Sequence, residues 1–234
     1  MFVGPSMWAS SASDPYVANV VALLHLNEAD GTATPSATLG SPTVVNDGSG
    51  SAPTSNAVKS ASARFGSGGW LSAGGATGLK ISKTTSSSVP YTFDFLFKPL
   101  TFGSFARFFS VATSGGGSQF CLAAPSGAIK YVDVDANDRS TTGSVSIGTW
   151  YFISVCYDGT TVRVYLDGVL IFSSSTYARS LSATTVTVAF GCSAGMGGAD
   201  GTASFDELRW THGIDRSAGG TTPPSTPSSE FPDS

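Results

Sequence analysis

Residues 148–171 read GTWYFISVCYDGTTVRVYLDGVLI. In Tyr151–Tyr157 apolar residues occupy both alternating faces, whereas in Val162–Leu166 they occupy one face. Asp158-Gly159 and Asp167-Gly168 are pairs that tolerate positive φ, so each predicts a two-residue hairpin loop. The stretch therefore predicts three consecutive antiparallel strands. Because a strand that is apolar on both faces has to be covered on both sides, this meander belongs to a sandwich or a closed barrel.

Further segments extend the β pattern on both sides of the meander. Val20–Leu26 predicts a first strand, Tyr91–Phe97 alternates before Pro99 stops it, and Thr184–Phe190 and Phe205–Trp210 follow the meander. No window of a dozen residues shows a 3.6-residue period, so helices should be few and short. The sequence therefore predicts an all-β protein.

Five segments carry motifs in a fixed order: VALLHLNEADG at 21–31, ARFGSGGWLSA at 63–73, YTFDFLFKP at 91–99, the meander, and GTASFDELRWTHGIDR at 201–216. Together they resemble the laminin-G-like, concanavalin A-like jelly-roll domains. The resemblance implies a two-sheet antiparallel jelly-roll sandwich with few short helices and extended termini. It says little about activity, because one fold hosts many functions.

The chain is predicted to divide into an N-terminal arm (1–18), a laminin-G-like jelly-roll domain (19–216) and a Pro-rich C-terminal arm (217–234). The last segment, SAGGTTPPSTPSSEFPDS, cannot build a sheet and should extend along the domain or along a neighbouring subunit. Phe2, Trp8 and Phe231 are apolar residues on these arms with no strand to bury them. We expect them to contact a partner subunit in an oligomer.

Charge and composition exclude several classes of partner. The net charge is −4, and the 12 basic residues form no cluster, so nucleic acid is not an expected partner. The first residues do not resemble a secretory signal, and the sequence lacks the apolar stretch of ~20 residues that a membrane span requires, so we expect no membrane partner. Cys121, Cys156 and Cys192 make an odd count without a CxxC pair, which argues against a disulfide framework and a zinc knuckle.

Glutamates are too few and too scattered for a glucanase. Glucanases of the same superfold carry an E-x-D-x-E pattern on one strand, and retaining hydrolysis needs two carboxylates about 5 Å apart. This chain has only Glu28, Glu207 and Glu230, with no two on a single strand. We therefore expect a protein that is not an enzyme.

One short motif matches a hydrolase pattern. Residues 191–195 read G-C-S-A-G, and Asp200 or Asp206 followed by His212 completes the order Ser, Asp, His. The glycines after Ser193 will not start the helix that this motif needs, so we interpret the segment as a Gly-rich loop.

The family resemblance implies a structural calcium site where the first and last strands meet. The matching segments place Asn27, Asp30 and Asp206 there as candidate ligands, and oxygen ligands from distant strands suit Ca²⁺. In the alternative, Glu207 pairs with Arg209 or a lysine, and Asp206 caps a turn.

The opening LLHL and the closing DELRWTHGIDR most resemble laminin-G-like domains of tailed-bacteriophage structural proteins. That resemblance implies a non-enzymatic virion protein, either a capsid decoration (cement) protein or a tail-associated one. It would be made in the host bacterial cytoplasm, be extracellular after release, and bind other virion subunits, further copies of itself or host glycans. The first alternative is a carbohydrate-binding, lectin-like module of a phage adhesin or bacterial surface protein. The second is a glycoside hydrolase.

Overall fold

The computed structural model describes residues 13–47, 57–72, 78–85, 89–104, 106–114, 117–133, 135, 137–181, 185–192 and 201–234. Phe2 and Trp8, predicted to contact a partner, and Ser193 of the Gly-rich loop lie outside these residues. The predictions made for them are therefore not addressed by the fold.

The described residues form sixteen strands and four single-turn 3₁₀ helices. The strands are β1 (Val20–Leu24), β2 (Leu39–Gly40), β3 (Thr43–Asp47), β4 (Ala57–Lys59), β5 (Gly69–Ser72), β6 (Gly78–Thr84), β7 (Tyr91–Pro99), β8 (Arg107–Thr113), β9 (Gly117–Ala123), β10 (Ala128–Val132), β11 (Asp138–Ser144), β12 (Tyr151–Tyr157), β13 (Val162–Leu166), β14 (Val169–Ser174), β15 (Thr185–Phe190) and β16 (Ala203–His212). The 3₁₀ helices are Val17–Asn19, Ser60–Ser62, Pro125–Gly127 and Ala218–Gly220. Within the described part of the chain, no helix has the length and apolar character needed to cross a membrane.

All strand pairs are antiparallel and fall into two sheets. The nine-stranded sheet runs β14-β13-β12-β7-β16-β1-β2, with β5 also pairing with β16 and β4 with β5. The seven-stranded sheet runs β11-β10-β9-β8-β15-β6-β3. The predicted all-β, two-sheet antiparallel sandwich with short helices is confirmed.

Aromatic side chains fill the space between the sheets. Phe93, Phe95 and Phe97 alternate along β7 and are at most 2% exposed. The ring of Phe95 stacks on Phe109 with centroids 5.0 Å apart, and Phe97 stacks on Phe108 at 4.2 Å. Each buried phenylalanine contributes about 1.5–3 kcal/mol relative to an exposed one, so this layer is a main source of the sandwich's stability.

The two Asp-Gly turns of the meander differ from each other. Asp167 and Gly168 have φ of 49° and 80° and form the predicted two-residue loop. The Asp158-Gly159 prediction is wrong in length, because Tyr157 pairs with Val162 across four loop residues. The Asp158 carboxylate closes this longer loop by accepting the N–H groups of residues 160 and 161, each at 2.8 Å.

The C-terminal segment, residues 213–234, covers the outer face of the nine-stranded sheet. The Thr92 hydroxyl on β7 donates to the carbonyl of Ile214 at 3.1 Å and accepts the N–H of Arg216 at 3.0 Å. Further along, Phe231 is 6% exposed and packs against a cluster that includes Leu96 and Phe152. The segment therefore lies on its own domain, and the expectation that no strand buries Phe231 is wrong. The C-terminal segment thus buries the outer face of β12, a strand with apolar residues on both faces.

A buried ionic network ties Asp14 and Arg216 to this face. Arg209 of β16 donates to Asp94 Oδ2 at 3.0 and 2.7 Å and to Asp14 Oδ2 at 3.1 Å. Arg216 donates to both oxygens of Asp14 at 3.0 and 2.7 Å, and the Ser154 hydroxyl donates to Asp94 Oδ1 at 2.7 Å. Burial opposes ionisation of Asp14, but hydrogen bonds from Arg216 and the backbone outweigh it and lower its pKa. Two cations and two anions thus satisfy each other beneath the segment.

Candidate functional site

A bulge in β16 places two acidic side chains on the same face. The pairing of β16 with β7 shifts register between Asp206 and Arg209, and Glu207 has a φ of +51°. A bulge adds one residue to its strand, so the side chains of Asp206 and Glu207 both point outward instead of alternating. Both residues are 0% exposed. Two neighbouring carboxyl groups are therefore buried at the edge of the C-terminal segment.

Glu207 joins the first strand to the end of the chain. Nδ1 of His25, the residue after β1, lies 3.0 and 2.9 Å from the two carboxyl oxygens of Glu207. The N–H of Phe231 donates to Glu207 Oε2 at 2.7 Å. The hydrogen bond to Glu207 raises the pKa of His25, whereas burial raises the pKa of Glu207 against the lowering effect of the His25 hydrogen bond. The predicted pairing of Glu207 with Arg209 is wrong, since Arg209 bonds to the aspartates described above.

Asp206 fixes a loop that we call the Phe65 loop, residues 63–68. Asp206 Oδ2 accepts the N–H groups of Arg64 at 2.7 Å and Phe65 at 2.9 Å, and Oδ1 accepts the N–H of Glu207 at 2.9 Å. Burial raises the pKa of Asp206 to about 7. Through its hydrogen bonds to Arg64 and Phe65, this carboxyl group caps the turn of the Phe65 loop.

Asn27 connects the Phe65 loop to the C-terminal segment. Its Oδ1 accepts the N–H of Ser67 at 2.8 Å, and its Nδ2 donates to Glu230 Oε1 at 2.7 Å. Gly66 between them has a φ of +56°, and a Cβ there would lie 2.0 Å from Asn27 Oδ1 and 2.3 Å from Glu230 Oε1. A larger residue would displace both side-chain ends and strain the positive-φ backbone, which glycine adopts without strain. Asp30 lies in another loop, where it accepts the N–H of Ser60 at 2.6 Å.

The predicted calcium ligands do not fit a calcium ion in this arrangement. Ca²⁺ takes six to eight oxygen ligands, but both oxygens of Asp206 face N–H donors, and Asp30 bonds to a separate loop. Within the described ranges, no three His, Cys, Asp or Glu side chains are grouped so that they could hold a metal ion. The geometry matches the alternative in which Asp206 caps a turn.

An open depression, which we call the His25 depression, lies between the Phe65 loop and the end of the chain. Its volume is about 520 Å³, and its walls are His25, Phe65, Gly66 and residues 228–233. A neighbouring depression of about 370 Å³ is lined by residues 25–28 and 36–38, so His25 stands between the two. Two exposed carboxyl groups, two serine hydroxyls and one half-buried aromatic ring thus surround a space accessible to solvent.

The fold agrees with a comparison to protein families. A family model for the concanavalin A-like lectin/glucanases superfamily, of the laminin-G type, matches residues 73–213, more than half of the chain. The chain belongs to this superfamily. No curated protein is similar to this concanavalin A-like domain at a significant level.

Several solved structures share the fold of this concanavalin A-like domain. Domain 4 of AbnA, a GH43 extracellular arabinanase from Geobacillus stearothermophilus in complex with arabinotriose, has a TM-score of 0.62 and 17% identity, over 86% of this chain and 95% of that chain. The botulinum neurotoxin serotype D ligand binding domain in complex with N-acetylneuraminic acid has 0.56 and 12%, over 84% and 48%. Trypanosoma rangeli sialidase in complex with the inhibitor DANA has 0.61 and 12%, over 82% and 30%. The chain thus spans nearly all of the arabinanase domain but less than half of the other two.

Sequence reasoning missed His25 and the wall formed by residues 228–233 of this concanavalin A-like domain. His25, Glu207 and Phe231 meet only because β1 pairs with β16 and the C-terminal segment folds back across both. The local signal was the acidic pair Asp206-Glu207, which interrupts the alternation of an otherwise regular strand. Consecutive acids in a central strand indicate a bulge and a polar contact from another element.

Proposed function

We propose that this domain binds carbohydrate in the His25 depression without catalysing a reaction. The observation that carries the proposal is the chemistry of the walls: the carboxylates of Glu230 and Asp233, the hydroxyls of Ser228 and Ser229, and the Phe65 ring line about 520 Å³. Small-molecule sites commonly have about 300–1,000 Å³. Membership of a superfamily that includes lectins supports this proposal.

The two walls of the depression are held in place before any ligand arrives. Asp206 fixes the Phe65 loop through two backbone N–H groups, and Glu207 fixes the opposite wall through the N–H of Phe231. Asn27 bonds to both walls. A site that is already ordered loses less conformational entropy on binding, which favours affinity for a polar ligand.

The proposed mode of binding uses the two faces of a sugar ring. Carboxylates accept hydrogen bonds from sugar hydroxyls, so Glu230 and Asp233 would bind the hydroxyl groups at the edge of the sugar ring. The Phe65 ring has no polar group and would contact the apolar C–H face. The half-buried state of Phe65 keeps part of its ring available for this contact.

The buried state of Asp206 and Glu207 removes these two carboxyl groups from any catalytic role, which leaves Glu230 and Asp233 as the acids that reach a ligand in the depression. Glycoside hydrolysis requires two carboxyl groups that both reach the substrate. Asp206 and Glu207 are fully buried, and their oxygens accept hydrogen bonds from the protein. Their role in this proposal is to hold the walls.

The test is a glycan array followed by calorimetric titration of any glycan that binds. We expect Phe65→Ala and Asp233→Asn each to weaken binding about tenfold, the equivalent of about 1.4 kcal/mol. The matched control is Thr84→Ala, in a hydroxyl-lined depression of about 380 Å³ on the seven-stranded sheet. If Thr84→Ala weakened binding and Phe65→Ala did not, the site would lie on the other sheet. Failure of every glycan to bind would overturn the proposal.

We propose in addition that the module is carried on a bacteriophage particle, as a capsid decoration or tail-associated protein. This rests on the resemblance of the first and last segments to those domains. Mass spectrometry of purified particles should find the chain at a stoichiometric level. Its absence from particles whose genome encodes it would overturn this placement.

A further inference from the structure

We propose that residues 228–234 also dock in trans, on a second copy of this chain, so that each copy completes the other's His25 depression. Residues 228–233 form one wall of that depression, which is therefore incomplete wherever they are undocked. The consequence for glycan binding rests on the proposed function. The docking itself is inferred from the contacts of residues 228–234 with the domain and does not depend on glycan binding.

The anchor that docks is short and makes its contacts independently of the rest of the segment. The Phe231 ring lies in a pocket formed by Val20, Leu23, Leu96 and Phe152, with the guanidinium of Arg209 3.9 Å from its centroid. On either side, Glu230 Oε1 accepts from Asn27, the Phe231 N–H donates to Glu207, and the Ser234 carbonyl accepts the N–H of Asp14 at 3.0 Å. An aromatic residue in a pocket with hydrogen bonds on both sides is a peptide-recognition arrangement.

The connector before the anchor, residues 221–227, is loosely held. Its hydrogen bonds, within the described part of the chain, all go to Ser217 and Ala218 in the preceding turn. Most of its residues are exposed, and Pro223, Pro224 and Pro227 make it stiff and extended. Because Arg216 is bound independently by the ionic network, the anchor can leave its pocket while the start of the segment stays in place.

The balance between docking in cis and in trans follows from effective concentration. A short connector gives its anchor an effective concentration in about the millimolar range, so the cis form should dominate in dilute solution. The exchanged form makes the same contacts in each pocket, and two reciprocal exchanges close into a two-fold symmetric dimer. Trans docking should therefore appear at high local concentration, or when the connector is too short to reach its own pocket.

The first experiment shortens the connector of the full chain by deleting residues 223–227. The deletion removes up to about 17 Å of reach, so the anchor can no longer span to its own pocket. Light scattering should give twice the monomer mass for the shortened chain and a monomer for the wild type in dilute solution. Adding Phe231→Ala to the shortened chain should restore the monomer. A shortened chain that is folded and monomeric at all concentrations would overturn the proposal.

The second experiment keeps the proposal testable even if the shortened chain fails to fold. A fluorescent peptide of residues 228–234 is titrated into full-length Phe231→Ala, whose pocket lacks the aromatic ring, and into the wild type. We expect saturable binding to the variant only, weakened at least tenfold when the peptide itself carries Phe231→Ala. No binding to the variant would show that the pocket does not accept the anchor in trans. Neither experiment measures glycan binding, so a failed glycan array leaves both results interpretable.

Discussion

Replacing Phe231 with alanine should destabilise the whole sandwich, although this residue lies near the end of the chain. The side chain is 6% exposed and fills a pocket between β1, β7 and β12. Truncation of a buried phenylalanine costs about 3–5 kcal/mol. The pocket lies beneath a terminal segment that can partly collapse into it, so we expect the lower end, about 3 kcal/mol. Loss of the Arg209 contact with the ring is included in that figure.

The assay is urea denaturation followed by tryptophan fluorescence, together with a thermal melt. For a chain of this size, 1 kcal/mol shifts the melting temperature by about 2–4 °C, so Phe231→Ala should lower it by about 6–12 °C. The control is Val169→Ala, because Val169 is 65% exposed and should change stability by less than about 0.5 kcal/mol.

A loss of less than about 1 kcal/mol for Phe231→Ala would refute this reasoning. It would show that the C-terminal segment does not cover the nine-stranded sheet in solution. The same result would remove the wall formed by residues 228–233, and with it the basis of both the glycan site and docking in trans.

Two further predictions concern the buried polar groups. Asp94→Asn should cost about 3 kcal/mol in urea denaturation, because it leaves the buried Arg209 guanidinium partly uncompensated. The control is Asp138→Asn on an exposed edge strand, which should change the free energy of unfolding by less than about 0.5 kcal/mol. Equal losses of stability for Asp94→Asn and Asp138→Asn would contradict the role of the ionic network. The pKa of Asp206 rises from 3.8 to about 7 on folding, so its stabilising contribution is complete below pH 3.8 and is lost as the pH rises toward 7. Asp206→Asn should therefore reduce the fall in unfolding free energy between about pH 4 and about pH 7, and an unchanged slope would argue against the buried acid.

Local patterns in the sequence were sufficient to predict the central strands. Tyr151–Tyr157 and Val162–Leu166 have the predicted bounds, because apolar alternation and turn residues are properties of neighbouring positions. The strand Asp138–Ser144 was missed, since it is mostly exposed, pairs only with β10 and carries no apolar alternation. Such an edge strand forms because its backbone pairs with the neighbouring strand, and this pairing does not require a particular amino-acid composition.

The candidate site depended on contacts that no local pattern records. Asp206 was expected to join Asn27 and Asp30 near the first strand, but its carboxyl group accepts the backbone N–H groups of Arg64 and Phe65. The expectation that no strand of its own domain buries Phe231 was wrong for a physical reason. An apolar residue in a Pro-rich arm indicates that its side chain is buried against some surface. The residue type does not indicate whether that surface belongs to the same chain or to a partner.

The C-terminal segment couples the stability of the sandwich to the proposed binding site. If docking of Phe231 is worth about 3 kcal/mol, the undocked state is populated at less than about one part in a hundred, since each 1.4 kcal/mol is a factor of ten. The observed dissociation constant of a ligand equals its intrinsic value divided by the docked fraction, so the wild type loses almost no affinity. In Phe231→Ala the docked fraction falls, and glycan affinity should fall by the same factor even though residues 228–230 and 232–233 are unchanged. Stability and affinity should then decline together in variants of the pocket around Phe231, whereas variants of the exposed wall residues should change affinity alone.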